Sequence, residues 1–208
     1  MIDKIRIKEY FWKSIRNILE DLSMNETLSV IKNRRSIRDF KPEQIKGSEL
    51  EVILEAGMYA PSSGGHQPWH FTVIQNKKVI GEISEAIKAV YREMPIPFLQ
   101  KIGKERPHLF YNALPVIVIS GDQNSLSPDI DCALAGENML IAAESLNIGS
   151  VWVSGFPQLA NTEAGKQIIK ALNIPEGYKP IYSIALGYKA AENPKAGARR
   201  ENLVNYIT

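Results

Sequence analysis

Apolar and polar positions alternate along this chain with periods that change from segment to segment. Over the first 22 residues Ile5, Phe11 or Trp12, Ile15, Ile18 or Leu19, and Leu22 recur at helical spacing and predict an amphipathic arm. A short helix over residues 26–32 follows, with 23–25 as its capping stretch. Ser48 and Glu51 form a capping box for the next helix, whose buried face is Leu50, Ile53, Leu54 and Met58 and which runs to about Tyr59. Residues 71–74 read as a strand. Ile80, Ile83, Ile87, Val90 and Tyr91 then mark a helix over 79–94, which Pro95 and Pro97 end.

Residues 95–113 read as irregular, with Phe98, Phe110 and Tyr111 among basic residues: either a lid over an aromatic ligand or a surface excursion. The continuous apolar run 116–120 is the pattern of a strand covered on both faces. Residues 131–147 make a helix apolar most of the way round and rich in alanine, which suits a central core helix and a subunit interface equally. Strands over 151–153 and 181–186 flank a helix over 158–172. With no repeat, low-complexity tract or long linker, the expectation is one domain over residues 25–208 carrying the arm 1–24.

Composition narrows the function classes. The 25 basic and 23 acidic residues nearly cancel, which leaves no broad electrostatic footprint for nucleic acid. No run approaches the ~18 apolar residues a membrane span requires. The arm contains Asp3, Glu9, Glu20 and Asp21, unlike a transit peptide, and has no hydrophobic block of the secretory kind. It is expected to dock on the body or a second subunit, with a membrane-surface helix as the alternative. A single cysteine, Cys132, excludes an internal disulfide framework and favours a reducing compartment, here the cytoplasm.

Two stretches carry candidate chemistry. In residues 33–41, N-R-R-S-I-R-D-F-K, the β-favouring Ile37 and Phe40 and the following Pro42 predict extended backbone. Alternate side chains then share a face, so Arg34, Ser36 and Arg38 point one way while Arg35 and Ile37 point the other. Guanidinium plus hydroxyl suits a phosphate, and a solvated basic patch is the plainer reading. The second stretch, A-P-S-S-G-G-H-Q-P-W-H-F at 60–71, is a loop whose small residues let backbone approach a flat ligand. His66 and His70 are four apart, but Pro68 places them off a helix, so no metal site is expected.

The chain has no dinucleotide-binding glycine fingerprint, no P-loop and no nucleophile elbow. Cys132 sits in an apolar helix pattern and reads as a packed thiol. A phosphate grip and a planar-ligand loop without an acid, base or nucleophile suit a protein whose cofactor carries the difficult step.

Taken together, R-R-S-I-R-D-F at 34–40, A-P-S-S-G-G-H-Q-P-W at 60–69, the helix and strand from 131 to 155 and the tail arginines resemble the FMN-dependent nitroreductase family, in order and spacing, from Glu26 onward. The resemblance implies an α+β sandwich of helices about a mixed, mainly antiparallel sheet, and an obligate homodimer with two FMN sites at the subunit interface. By motif position Arg34 and Ser36 would hold the FMN phosphate with Arg199 or Arg200, and Arg38 would lie against the flavin N1 and C2 carbonyl. Pro61, Ser62, Ser63, Gly65 and Gln67 would come from the partner subunit. Backbone N–H groups of Ser154 and Gly155 would face N5, with Arg35 and Val153 completing the cofactor-binding set and no catalytic side chain. Gly65 stands where many relatives have Asn, and Ser154 where some have Glu.

The implied activity is an NAD(P)H-dependent oxidoreductase that passes hydride through the flavin to a nitroaromatic, quinone or enone by alternating half-reactions. The alternatives are a reductive dehalogenase-like or flavin-fragmenting relative of the same fold, and a non-catalytic FMN-binding protein.

Overall fold

The computed structural model describes residues 25–207, so the arm lies outside the described residues. The chain divides after Arg34 into two units. The described part of the first is helix α1 (Glu26–Asn33), whose N-cap Asn25 accepts from Leu28 N–H at 2.9 Å.

The second unit is built on four strands, β1 (Trp69–Ile74), β2 (Val116–Asp122), β3 (Ile148–Val153) and β4 (Tyr178–Tyr188), in the spatial order β1-β2-β4-β3. All three pairings are antiparallel. The parallel component expected of the sheet is a single bridge between Ser36 and Ser150 among the described residues.

Side chains on β2 alternate between two cores, as the period of two dictates. Val116 and Val118 meet Ile80, Ile83 and Ile87 of helix α2 (Lys77–Glu93) on one face, together with Phe110 and Phe156. Ile117 and Ile119 meet the other face, where Ile53 of helix α3 (Gly47–Met58) packs with Met139 and Leu140 of helix α4 (Pro128–Ser145). Burial of each such side chain contributes about 1.5–3 kcal/mol, so a sheet covered on both faces is the fold's main source of stability. The α+β sandwich is therefore as expected. The glycines of α3 and α4 set how closely the layers approach: a Cβ on Gly57 would lie 2.3 Å from Met139 Cε, and one on Gly136 would run into the Tyr182 phenol.

Four local readings are corrected. Residues 97–105 are helix α5 (Pro97–Glu105), because Pro97 occupies its first turn, where a missing N–H breaks no helical bond. The 158–172 helix is two, α6 (Phe156–Ala160) and α7 (Glu163–Ala171), since Thr162 leaves the helical conformation to cap α7. The cap of α3 is Lys46, whose N–H donates to Glu49 Oε2 at 2.9 Å, in place of Ser48 and Glu51. Met58 faces outward at 53 % exposure, and Gly57 takes the buried position. Glu49 also accepts from Tyr188 Oη at 2.6 Å, and these two bonds, the tyrosine's first, hold its carboxyl below the usual range. No helix among the described residues is long and apolar enough to cross a membrane.

Candidate functional site

The segment after Arg34 is held extended by hydrogen bonds to two strand ends. Ile37 N–H donates to Ser150 O at 2.9 Å, Lys41 N–H to Tyr188 O at 2.8 Å, and Phe40 bridges to Lys189. Ile37 is 5 % exposed and packs over Gly149, and Phe40 packs over Gly187; a Cβ on either glycine would press on these side chains, at 3.0 and 2.9 Å. Ile37 is turned inward while Arg38 and Asp39 are exposed, and Arg34 and Ser36 are half-buried, so burial separates the expected faces at Ile37 and Arg38 only. Arg38 Nη1 donates to Ser36 O at 3.3 Å, which folds the guanidinium back along its own strand. Arg35 is half-buried. Arg34 ends the first unit as the C-cap of α1, its N–H donating to Val30 O at 2.8 Å.

The 60–67 loop owes its shape to three residues in left-handed backbone, Gly64 (φ 62°), Gly65 (φ 70°) and Gln67 (φ 49°). Glycine adopts that region most readily, which suits positions 64 and 65. Ser62 Oγ accepts from Gln67 N–H at 2.9 Å. Ser63 donates twice to Asp131 Oδ1, from its N–H at 3.0 Å and its hydroxyl at 3.2 Å. Asp131 is 2 % exposed, and its second carboxylate oxygen has no hydrogen-bond partner. The two serine hydroxyls thus fix the loop from within, while Pro61, Gly65 and Gln67 face outward. Asp131 was not among the expected site residues; an acid in the first turn of an otherwise apolar helix was the signal. His66 lies against Gly64, whereas His70 packs edge-on to Tyr178, and no metal-binding cluster of three or more side chains exists among the described residues.

At the end of β3, buried Val153 leads to exposed Ser154 and to Gly155 at φ 128°. A Cβ on Gly155 would lie 2.6 Å from Ile87 Cγ2 and 2.9 Å from Tyr91 Oη, so the position requires glycine twice over. Tyr91 Oη donates to Ser154 O at 3.1 Å. The carbonyl of this peptide points to α2, and planarity sends the Gly155 N–H the opposite way. Burial raises the Tyr91 phenol, against smaller opposing effects of the Ser154 bond and of Arg106, so it remains a protonated donor at neutral pH.

Beside Arg38 opens a cavity of about 620 Å³, walled by α5 and by residues 106–112. The stretch expected to be either lid or excursion is therefore a wall. The Tyr111 ring has two guanidinium groups over it, Arg38 at 6.0 Å and Arg106 at 5.3 Å from its centre. The tail is exposed, and Arg199 Nη1 donates to Gly197 O at 3.0 Å. Cys132 is buried, and burial lifts its thiol to about 12, which rules out a thiolate nucleophile at neutral pH.

Residues 31–188 match the model of the Nitroreductase family. An Archaeoglobus fulgidus protein named for NADH dehydrogenase/NAD(P)H nitroreductase activity is 37 % identical, with 81 % of this chain and 88 % of that one aligned. A Bacillus subtilis FMN reductase (NADPH) is 26 % identical over 89 % of this chain and 77 % of its own. Among solved structures, a Bacteroides fragilis nitroreductase with bound FMN superposes with a TM-score of 0.82 at 33 % identity, covering 89 % of this chain and all of that one. The segment, loop and turn described above fall within or beside the matched region, and the chain belongs to the nitroreductase family.

Proposed function

We propose that this chain is an FMN-dependent oxidoreductase that works as a homodimer and uses NAD(P)H to reduce a nitroaromatic, quinone or enone. When bound, FMN supplies the N5 atom that takes hydride from the nicotinamide and yields it to the acceptor. The observation that carries the reading is the facing of the extended segment: Ile37 is buried while Arg38 is exposed and lines a cavity whose size is typical of small-molecule sites, ~300–1,000 Å³.

The residues fit such a group. Arg34 and Ser36, with Arg199 or Arg200, would hold the phosphate, a guanidinium and a hydroxyl being the pairing a dianion favours, and Arg35 would complete the cofactor-binding set. Arg38 would place a fixed positive charge at the N1–C2 edge of the ring, where negative charge gathers on reduction. Val153, Ser154 and Gly155 would present a backbone donor to N5, and Tyr91 sets its direction from behind. From the partner subunit, Pro61, Ser62, Ser63, Gly65 and Gln67 would close the ring's other side, in a loop whose shape Asp131 maintains. The two substrates would take turns on one face, so the protein's contribution is alignment of rings.

Steady-state assay of the flavin-loaded protein tests this. Nicotinamide absorbance should fall with a nitroaromatic or quinone, with parallel double-reciprocal plots. Tight FMN binding without turnover of any such acceptor would leave a carrier instead. Tyr91→Phe releases Ser154 O and removes one hydrogen bond of about 0.5–1.5 kcal/mol. Stopped-flow measurement of flavin reduction should show a rate lower by roughly 2- to 10-fold, with the KM for NAD(P)H unchanged.

A further inference from the structure

We propose that the cavity beside Arg38 selects acceptors that carry an anionic group, an aromatic carboxylate being the simplest, and that Arg106 is the residue that reads the charge. This inference rests on the oxidoreductase reading above and adds the substrate class to it.

Charge in the cavity decides the sign. Lys101 and Glu105, one helical turn apart, pair at 3.8 Å and cancel. Asp39 offsets one of the two remaining cations, Arg38 and Arg106, and leaves one positive charge facing the space. His108 adds none. Its Nδ1 accepts from Phe110 N–H at 3.1 Å, and burial lowers its pKa against the raising effect of nearby Glu85, so the ring is neutral at pH 7.

Arg38 is proposed to serve the cofactor, so Arg106 is the cation left for a substrate. Its guanidinium lies over the Tyr111 ring at 5.3 Å from the ring centre, and its planar fork of N–H donors matches a carboxylate in bidentate fashion. Its position also suits the chemistry. The charge of Arg106 acts on Tyr91, the donor that holds Ser154 O from behind the turn proposed to face N5.

The wall is suited to an aromatic ring as well as to an anion. Phe98, 70 % exposed, and the half-buried Tyr111 and Ile102 supply apolar surface around the cations. Tyr111 and Asn112 are consecutive residues at φ 54° and 58°, left-handed backbone that is uncommon for a side chain like that of Tyr111.

The test titrates FMN-loaded protein with benzoate and with its neutral isostere benzamide, following the visible spectrum of the flavin. It then compares turnover of 4-nitrobenzoate and 4-nitrobenzamide with NADH or NADPH. Benzoate should bind at least tenfold more tightly than benzamide and weaken with added salt while benzamide does not, as expected of an ion pair. In Arg106→Gln the benzoate advantage, and the kcat/KM advantage of 4-nitrobenzoate, should collapse to within about twofold, and Arg106→Lys should restore part of both. Equal binding of benzoate and benzamide by the wild-type protein, or an advantage that survives Arg106→Gln, overturns the inference while leaving the oxidoreductase reading intact. Failure to oxidise NAD(P)H with either acceptor removes the underlying reading instead. The wild-type comparison stands even where a variant fails to fold.

Discussion

Arg34→Ala is expected to weaken FMN binding by roughly 10- to 150-fold and to leave the protein folded. The magnitude is that of one charge-assisted contact to a phosphate, about 1.5–3 kcal/mol. The fold should survive because the position's cap bond to Val30 O is made by the backbone N–H, which alanine retains. Gel filtration and circular dichroism of the apo-protein should match the parent, while flavin fluorescence titration shows the loss. Unchanged affinity in a folded variant would mean that this side chain does not meet the cofactor. Ser36→Ala should produce a smaller loss, about 1 kcal/mol, since a neutral hydroxyl donor is removed in place of a cation.

Gly155→Ala is expected to be the most damaging small substitution in the site. The added methyl meets Ile87 at 2.6 Å and the Tyr91 hydroxyl at 2.9 Å, and it sits on backbone at φ 128° that L-residues avoid. Strain of about 1–3 kcal/mol for the backbone adds to an overpacking cost of about 1–3 kcal/mol. At about 2–4 °C per kcal/mol for a domain of this size, thermal melting should shift down by roughly 4–24 °C. The loss of activity should exceed that of Tyr91→Phe, because the methyl displaces the peptide itself and not only its support. Gly65→Ala is the control. It shares a left-handed backbone, φ 70°, but a Cβ there touches nothing within 4 Å, so only the strain of about 1–2 kcal/mol remains.

Ile37 between Ser36 and Arg38, ahead of Pro42, was enough to predict extended backbone with Ile37 inward and Arg38 outward, because that pattern is local. The doubly covered strand at 116–120 was legible for the same reason: an unbroken apolar run has no solvent face. Pro97 misled, since a proline after a helix reads as a stop, whereas here it starts the next one. The partners of the site were out of reach. Ser63 meets Asp131 across 68 positions, and Tyr91 meets Ser154 across 63, separations that no periodicity encodes. The same holds for the cavity wall, where the two arginines near the Tyr111 ring come from opposite sides of α2 in the sequence.

The sandwich explains why these distant pairs are reliable supports. Asp131 lies in the first turn of α4 and Tyr91 near the end of α2, helices that cover opposite faces of one sheet. Each reaches a loop at the edge of the layer it covers, so the loops carrying the proposed cofactor contacts rest on the two cores. A well-packed core responds little to small displacements, and the site inherits that stiffness.

The central claim is that the extended segment after α1 holds a phosphate, and titration of the apo-protein with FMN and with riboflavin tests it most directly. The two ligands share the ring and differ by the phosphate alone. Quenching of flavin fluorescence should saturate at one FMN per chain, with riboflavin at least about 100-fold weaker, as the loss of two charge-assisted contacts requires. Equal affinity for the two flavins, or no binding of either, would contradict the account.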